Sequence, residues 1–312
     1  MSGLPRYTIF AASVLFTVLP ALVVQVHAVE PKEVDSRGYD HDRFKTHPVE
    51  IFRDYGAYVL SFDSHDDDDG NGEPDMWGIP VWVAHEVKRF DGRCIPTSSR
   101  PKWFTDRRLA VRGIAPRDSS YKFSRSWRKL YPDWYVRGHM AMKLLAERMG
   151  PNAAFNTFIV LNAVPQRQSF NAGIWLNLEL LTGAWAQRFG SVWIITGPII
   201  IDGKPSGWMG DEGEFRIAIP EALFKIVAKD SEIPGQPPDV LAFIYPQVGP
   251  GYTDSNNFRH ERYLVSVDEI EELTNLDFFT AVPDSVENDV ESKRASALWT
   301  TNQSDFISAC RR

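Results

Sequence analysis

Two neighbouring stretches decide how this chain reads: Trp134-Tyr135-Val136-Arg137-Gly138-His139-Met140 and Leu161-Asn162-Ala163-Val164-Pro165-Gln166-Arg167-Gln168-Ser169-Phe170-Asn171-Ala172-Gly173-Ile174-Trp175-Leu176-Asn177-Leu178-Glu179. The first ends a strand-like segment and opens a helix. From Asn171 to about Arg188 the spacing is helical, ending near Gly190. Asn171, Trp175 and Glu179 are four apart, so at about 100° per residue they spread over only about 80° of a helix circumference. Two oxygen-bearing side chains and one aromatic then share a face. Oxygen donors suit a hard divalent cation such as Mg²⁺, which keeps most of its waters. A histidine beside such a cation can serve as general base toward water. Each residue also has a plainer role: a satisfied histidine, an asparagine N-cap, a surface carboxylate, a core tryptophan.

The charge around this region is segregated. The whole chain has 34 Lys and Arg against 41 Asp and Glu, a net −7. That sign argues against a protein coating nucleic acid through its entire surface. Yet residues 100–148 hold thirteen basic and four acidic side chains, while 252–312 hold six basic and twelve acidic. Within the basic window stand Trp103, Phe104, Tyr121, Phe123, Trp127, Tyr131, Trp134 and Tyr135. Cations beside aromatics suit a phosphodiester backbone and unstacked bases. A solvated basic face over an aromatic core is the alternative.

Strands are expected at 57–62, 80–87, 158–161, 192–196, 215–219 and 240–245, from alternation or short apolar runs. Helices are expected from Met140 to Met149, stopped by Gly150-Pro151, from Glu221 to Val227, and from Asp268 to Leu273. This order argues a single α+β domain. Hydrophobic residues at 43% and charged residues at 24% exclude wholesale disorder. A Gly-rich phosphate loop and a Gly-x-Ser-x-Gly elbow are both missing from the sequence, which leaves NTPase and α/β-hydrolase readings without support.

Arg-Gly-His followed by Asn-x₃-Gln-x₄-Asn-x₃-Trp-x₃-Glu resembles the DNA/RNA non-specific endonucleases of the ββα-metal (His-Me finger) superfamily, endonuclease G-like enzymes among them. The resemblance covers roughly residues 55–283 and includes Trp193-Ile194-Ile195-Thr196-Gly197-Pro198. It implies a mixed or antiparallel central sheet flanked by helices, with a ββα-metal finger as active site. It implies a Mg²⁺ cofactor, with Mn²⁺ a substitute, and DNA and RNA as substrates. His139 would be the base, Asn171 the direct metal ligand, and Glu179 a ligand acting through water. Asn162 would orient His139 or the site's backbone, Arg100 would stabilise the charged phosphorane, and Arg137 would support the same anion or pack structurally. The products would carry 5′-phosphate ends. The chain departs from the family's Asp-Arg-Gly-His at Val136, and has Met142 where Pro is frequent. Val136 motivates an alternative: a nucleic-acid-binding protein of weakened catalysis on the nuclease scaffold.

The remaining organisation follows from the ends. Thr8 to Val26 carries no ionisable group, Arg6 precedes it, and Val26 and Ala28 occupy the −3 and −1 places of a cleavage site. Residues 1–28 therefore read as a signal peptide, with a membrane anchor as the other reading. A secreted or periplasmic protein without stable membrane association after cleavage is expected. Residues 29–50 read as an N-terminal arm, 51–283 as the nuclease domain and 284–312 as a polar C-terminal tail. Cys94 and Cys310, 216 positions apart, are either a disulfide or two free thiols. Asp67, Asp69, Asn71 and Asp75 follow the start of a calcium loop, but Gly78 stands at its twelfth place, so either a structural Ca²⁺ site or a solvated acidic turn is expected.

Overall fold

Every residue of Val59–Phe62 is buried, and so are all eight of Ala222–Lys229. Strands covered on both faces read as continuous apolar runs rather than alternating ones, and such strands form the centre of this fold. The computed structural model describes residues 29–47, 51–63, 77–121, 134–210 and 215–310. Residues 1–28, read above as a signal peptide, the stretch with Asp67, Asp69, Asn71 and Asp75, and residues 122–133 of the basic window lie outside the described residues.

In chain order the strands are β1 (Ile51–Asp54), β2 (Val59–Phe62), β3 (Trp82–Lys88), β4 (Tyr135–His139), β5 (Ala163–Arg167), β6 (Ser191–Ile199), β7 (Gly207–Met209), β8 (Ile217–Ile219), β9 (Ala222–Lys229), β10 (Asp239–Pro246) and β11 (Leu264–Val265). The helices are α1 (Arg107–Ala110), α2 (Lys143–Ala146), α3 (Pro151–Asn156), α4 (Gln168–Phe170), α5 (Leu176–Phe189), α6 (Val267–Thr274) and α7 (Asp284–Glu291). Seven strands form an antiparallel sheet in the order β1-β2-β3-β6-β9-β10-β11, while β4 pairs with β5 and β7 with β8. The architecture is α+β, as the element order implied.

The sheet divides two cores. Leu60, Val83, Ile194, Leu223 and Val227 point to one face, where they meet Val164, Trp175, Leu178 and Trp185 from the β4–β5 ribbon and α5. Val59, Trp82, Ile195, Phe224 and Ile226 point to the other, where Val267, Ile270 and Val290 of α6 and α7 pack with Phe44 and Phe278. Alternation along each strand, with a period of two residues, produces this division. Ser266 caps α6 reciprocally with Glu269, a box that fixes where that helix begins.

Two expectations fail. The segment Glu221 to Val227 is not a helix but the strand β9, paired on both sides by β6 and β10. A continuous apolar run does not reveal its period, and the two neighbouring strands decide it. Residues 158–161 are not a strand either: Ile159 makes a single bridge to Phe104, and Val160–Asn162 turn as a 3₁₀ helix. The helix after His139 is also shorter than expected, α2 and α3 being separated by Gly150 at φ 117°.

The two cysteines are joined, Cys94 to Cys310. The segment after α7 is held along α5: Trp299 packs against Trp185 and Phe189 at 5.3 and 5.8 Å between ring centres.

Candidate active site

β4 and β5 form an antiparallel ribbon in which His139 lies opposite Ala163. The chain then enters α4, a wide π turn over Asn171–Trp175, and α5. Two strands followed by a helix make a ββα unit. Tyr135, Arg137 and His139 share one side of β4, Val136 and Gly138 the other. A Cβ at Gly138 would fall 1.9 Å from the Gln166 side chain, which would have to move to admit it. Gln166 is fully buried opposite Val136, and neither its Oε1 nor its Nε2 finds a partner.

His139 is half-buried, its ring 4.6 Å from that of Trp103 and 4.9 Å from that of Phe158. The Arg100 guanidinium lies over the same Phe158 ring at 5.3 Å. The His139 Nε2 is sealed from solvent without a hydrogen-bond partner. Burial, and then the charges of Arg100 and Lys143, push the imidazole down to about 3. The ring is therefore neutral at physiological pH.

Asn162 clamps the turn behind it. Its Oδ1 accepts from the Ala141 N–H at 2.8 Å, and its Nδ2 donates to the carbonyls of Ala141 at 3.0 Å and Thr157 at 2.9 Å. The Met140 N–H donates to the Asn162 carbonyl at 2.9 Å. Asn162 thus orients backbone, one of the two roles expected for it. Arg137 pairs with Asp118 at 2.5 Å and lies over Tyr121, which favours the packing role.

Asn171 adopts helical φ −60° and ψ −43°, so the N-cap role is not realised there. The helix kinks immediately after it. Gly173 has φ −106° and ψ −115°, and a Cβ would fall 1.8 Å from the Tyr252 carbonyl oxygen, which accepts from the Ile174 N–H at 2.9 Å. The simple four-residue periodicity from Asn171 to Trp175 is interrupted, whereas Trp175 to Glu179 continues regularly. Trp175 is core, with Phe170 at 5.2 Å and the Lys225 ammonium over its ring at 4.4 Å.

Glu179 is buried with its Oε1 unpartnered. Burial pushes its carboxyl up, and the charge of Lys225 draws it back down. Lys225, buried on β9, donates to the Thr196 hydroxyl at 3.0 Å. The orphaned, buried carboxylate oxygen of Glu179 is a donor of the kind a hydrated hard divalent cation takes. Phe158, Lys143 and Lys225 were not singled out in the sequence, and Trp103 and Gln166 were named there without a role in the site. Trp103 and Lys143 lay in the basic, aromatic window, while Lys225 was hidden in a run misread as helix.

The sequence pattern of the DNA/RNA non-specific endonucleases matches residues 69–285. Similar curated proteins include the mitochondrial nuclease EXOG of Xenopus laevis, 25% identical over 222 residues that cover 65% of this chain and 60% of that one. EXOG of Homo sapiens is 30% identical over 151 residues, 46% of this chain and 40% of that one. The nuclease of Serratia marcescens is 29% identical over 221 residues, 68% and 73% of the two chains. The match thus spans 40–60% of the length of the two EXOG proteins. Among solved structures, a chain from the EndoG/EndoGI complex superposes with a TM-score of 0.56 at 20% identity, covering 78% of this chain and 91% of that one, a likeness of fold. With well over half of its residues inside the family pattern, the chain belongs to the DNA/RNA non-specific endonuclease family.

Proposed function

We propose that this chain is an exported, divalent-cation-dependent endonuclease that hydrolyses phosphodiester bonds of DNA and RNA with little sequence preference. One observation carries the reading: a neutral His139 at the end of a ββα ribbon, with Arg100 stacked on the same Phe158 ring. His139 takes the proton of the attacking water. Arg100 balances the negative charge that grows on the phosphate. Burial is the larger cause of the lowered imidazole, and a phosphodiester seated against Arg100 offsets the smaller part owed to positive charge, which raises its proton affinity on substrate binding. Asn171 would hold the cation directly and Glu179 would act on it through water. Mg²⁺, or Mn²⁺ in its place, supplies Lewis-acid stabilisation of the phosphate and the departing oxygen when bound. Breaking the bond to the 3′ oxygen leaves a 5′-phosphate end.

Export to the periplasm or the medium is supported by the uncharged stretch from Thr8 to Val26 and by the Cys94–Cys310 disulfide, which suits an oxidising compartment. Among the described residues no helix is long and apolar enough to cross a membrane.

The test incubates the full chain with plasmid DNA and with RNA in Mg²⁺, then in EDTA. Cleavage of both substrates is expected, lost in EDTA and reduced about 10²- to 10⁴-fold in His139→Ala, the range of a general base. Cleavage that survives EDTA, or is undiminished in His139→Ala, sinks the mechanism. A second reading, weakened catalysis with retained nucleic-acid binding, is favoured by Val136 facing the unpartnered Gln166. It predicts salt-sensitive retardation of DNA without cleavage by the unmodified chain.

A further inference from the structure

On the face of the sheet opposite His139, α6 and α7 bring three carboxylates together. Asp268 and Glu271 stand one turn apart on α6, and Glu291 is the last residue of α7. Each offers an oxygen, and the three lie within 4.8 Å of one another. Glu291 is only 6% exposed, and its Oε1 is shut off from solvent with no hydrogen-bond donor. Glu271 already accepts from the Phe278 N–H at 2.8 Å.

This arrangement opposes itself electrostatically. The charged neighbours acting on Glu291 are Glu271, Glu287 and Asp268, all acidic, and Asp277 acts on Glu271 in the same sense. Glu287 and Glu291 are a like-charged pair one turn apart, unfavourable on any helix. Glu291 also sits at the C-terminal end of α7, where the helix dipole repels an anion. The side chain shares a hydrogen bond with Glu271 alone, and burying its other oxygen with neither a donor nor a cation is costly.

We propose that Asp268, Glu271 and Glu291 form a calcium-binding site that fastens α6 to α7. Calcium takes six to eight oxygen ligands at roughly 2.3–2.6 Å, so oxygens on opposite sides of the ion stand about 5 Å apart. Three carboxylate oxygens within 4.8 Å of one another fit inside that sphere. Magnesium generally uses one or two carboxylates and keeps its waters. The site owes nothing to the nuclease reading: it lies on the other core and uses none of the residues around His139.

The experiment is thermal unfolding of the full chain in EDTA and in CaCl₂ at about 100 times the dissociation constant, with Asn171→Ala and Glu291→Gln alongside. The unmodified chain and Asn171→Ala should gain about 5–10 °C from calcium. Glu291→Gln should gain nothing, while melting in EDTA no lower than the unmodified chain, since the amide keeps the shape of the side chain without placing an anion among acidic neighbours. Its Mg²⁺-dependent cleavage of DNA should be unchanged. A calcium increment retained in Glu291→Gln, or missing from the unmodified chain, overturns the site. Should Glu291→Gln fold poorly, Asp268→Asn at its exposed position decides. Calorimetric titration should show calcium binding at least tenfold weaker, and unchanged affinity overturns the proposal.

Discussion

Asn162 and Ala141 are tied by two hydrogen bonds, the carboxamide oxygen accepting from the Ala141 N–H and the carboxamide nitrogen donating to its carbonyl. The pair fixes the backbone two residues beyond His139. Removing the side chain leaves up to three buried backbone groups without partners, each costing about 1–3 kcal/mol. Asn162→Ala is therefore expected to lose at least about 2 kcal/mol in urea unfolding and to lower kcat as His139 loses its support. Asn162→Asp keeps the acceptor but turns both donors into an anion facing two carbonyls, and should be at least as unstable. A variant of either kind with unchanged midpoint and unchanged kcat would show that the clamp does not position the site.

Gly173 admits no side chain, because the Tyr252 carbonyl occupies the place of its Cβ. The contact is with backbone, so a shift of a flexible side chain cannot relieve it. Gly173→Ala should cost roughly 3 kcal/mol or more, at the high end for single substitutions. The kink lies between Asn171 and Glu179, so divalent-ion affinity should fall together with stability. Calorimetric titration with Mn²⁺, below the melting temperature of the variant, separates the two effects. Unaltered affinity would mean the bulge plays no part in placing Asn171.

Much of this was legible in the sequence, and the failures have identifiable causes. The fold class and the family were legible, because the Arg-Gly-His stretch and the Asn-x₃-Gln-x₄-Asn-x₃-Trp-x₃-Glu pattern carry the resemblance from which the roles of His139, Asn162, Asn171 and Glu179 are drawn. The bulge could not, because a π turn at Gly173 depends on a carbonyl nearly eighty positions away. β9 was misread because Ala222 to Lys229 is buried on both faces and shows no alternation. Trp103 and Phe158, which flank the imidazole, come from segments whose meeting depends on a single bridge between Phe104 and Ile159.

Val136 can be tested by restoring the acid. The position lies directly across from Gln166, whose buried amide is unpartnered. A carboxylate there can accept from the amide nitrogen, a charged hydrogen bond that contributes on the order of 1 kcal/mol net. Val136→Asp is thus expected to raise cleavage activity a few-fold without loss of stability. A drop in both would indicate that the β4–β5 ribbon of this chain has adapted to Val136.

The imidazole of His139 makes acid stability a second readout of the site. Held down to about 3 in the folded chain, against 6.5 when unfolded, it stays neutral while the unfolded chain takes up a proton below pH 6.5. Its contribution is fully present above pH 6.5 and is lost as pH falls from there toward 3. His139→Gln should therefore flatten the dependence of unfolding free energy on pH by up to about 1.4 kcal/mol per pH unit across that window. His41, His85 and His260, each lowered mainly by burial, remain as the background slope. Measurements in EDTA keep bound cations out of the comparison. Parallel curves for the two proteins would show that the ring titrates as freely as in the unfolded chain.

The Cys94–Cys310 bond closes a loop of 216 positions, and its effect should be found mainly in the unfolded state. Constraining so long a loop removes chain entropy from the unfolded ensemble, typically stabilising by about 2–4 kcal/mol. The folded tail has other attachments. The Ile95 N–H donates to the Ser308 carbonyl at 2.8 Å, the Cys310 N–H to the Ile95 carbonyl at 2.9 Å, and the Trp185 indole to the Trp299 carbonyl at 3.0 Å. The double variant Cys94→Ser, Cys310→Ser should therefore keep its tail docked and its activity at 25 °C. It should melt roughly 5–10 °C lower, as should the unmodified chain in reductant. If activity is lost well below the melting transition, the bond holds the native geometry of the tail rather than limiting the unfolded chain, and the entropic account fails.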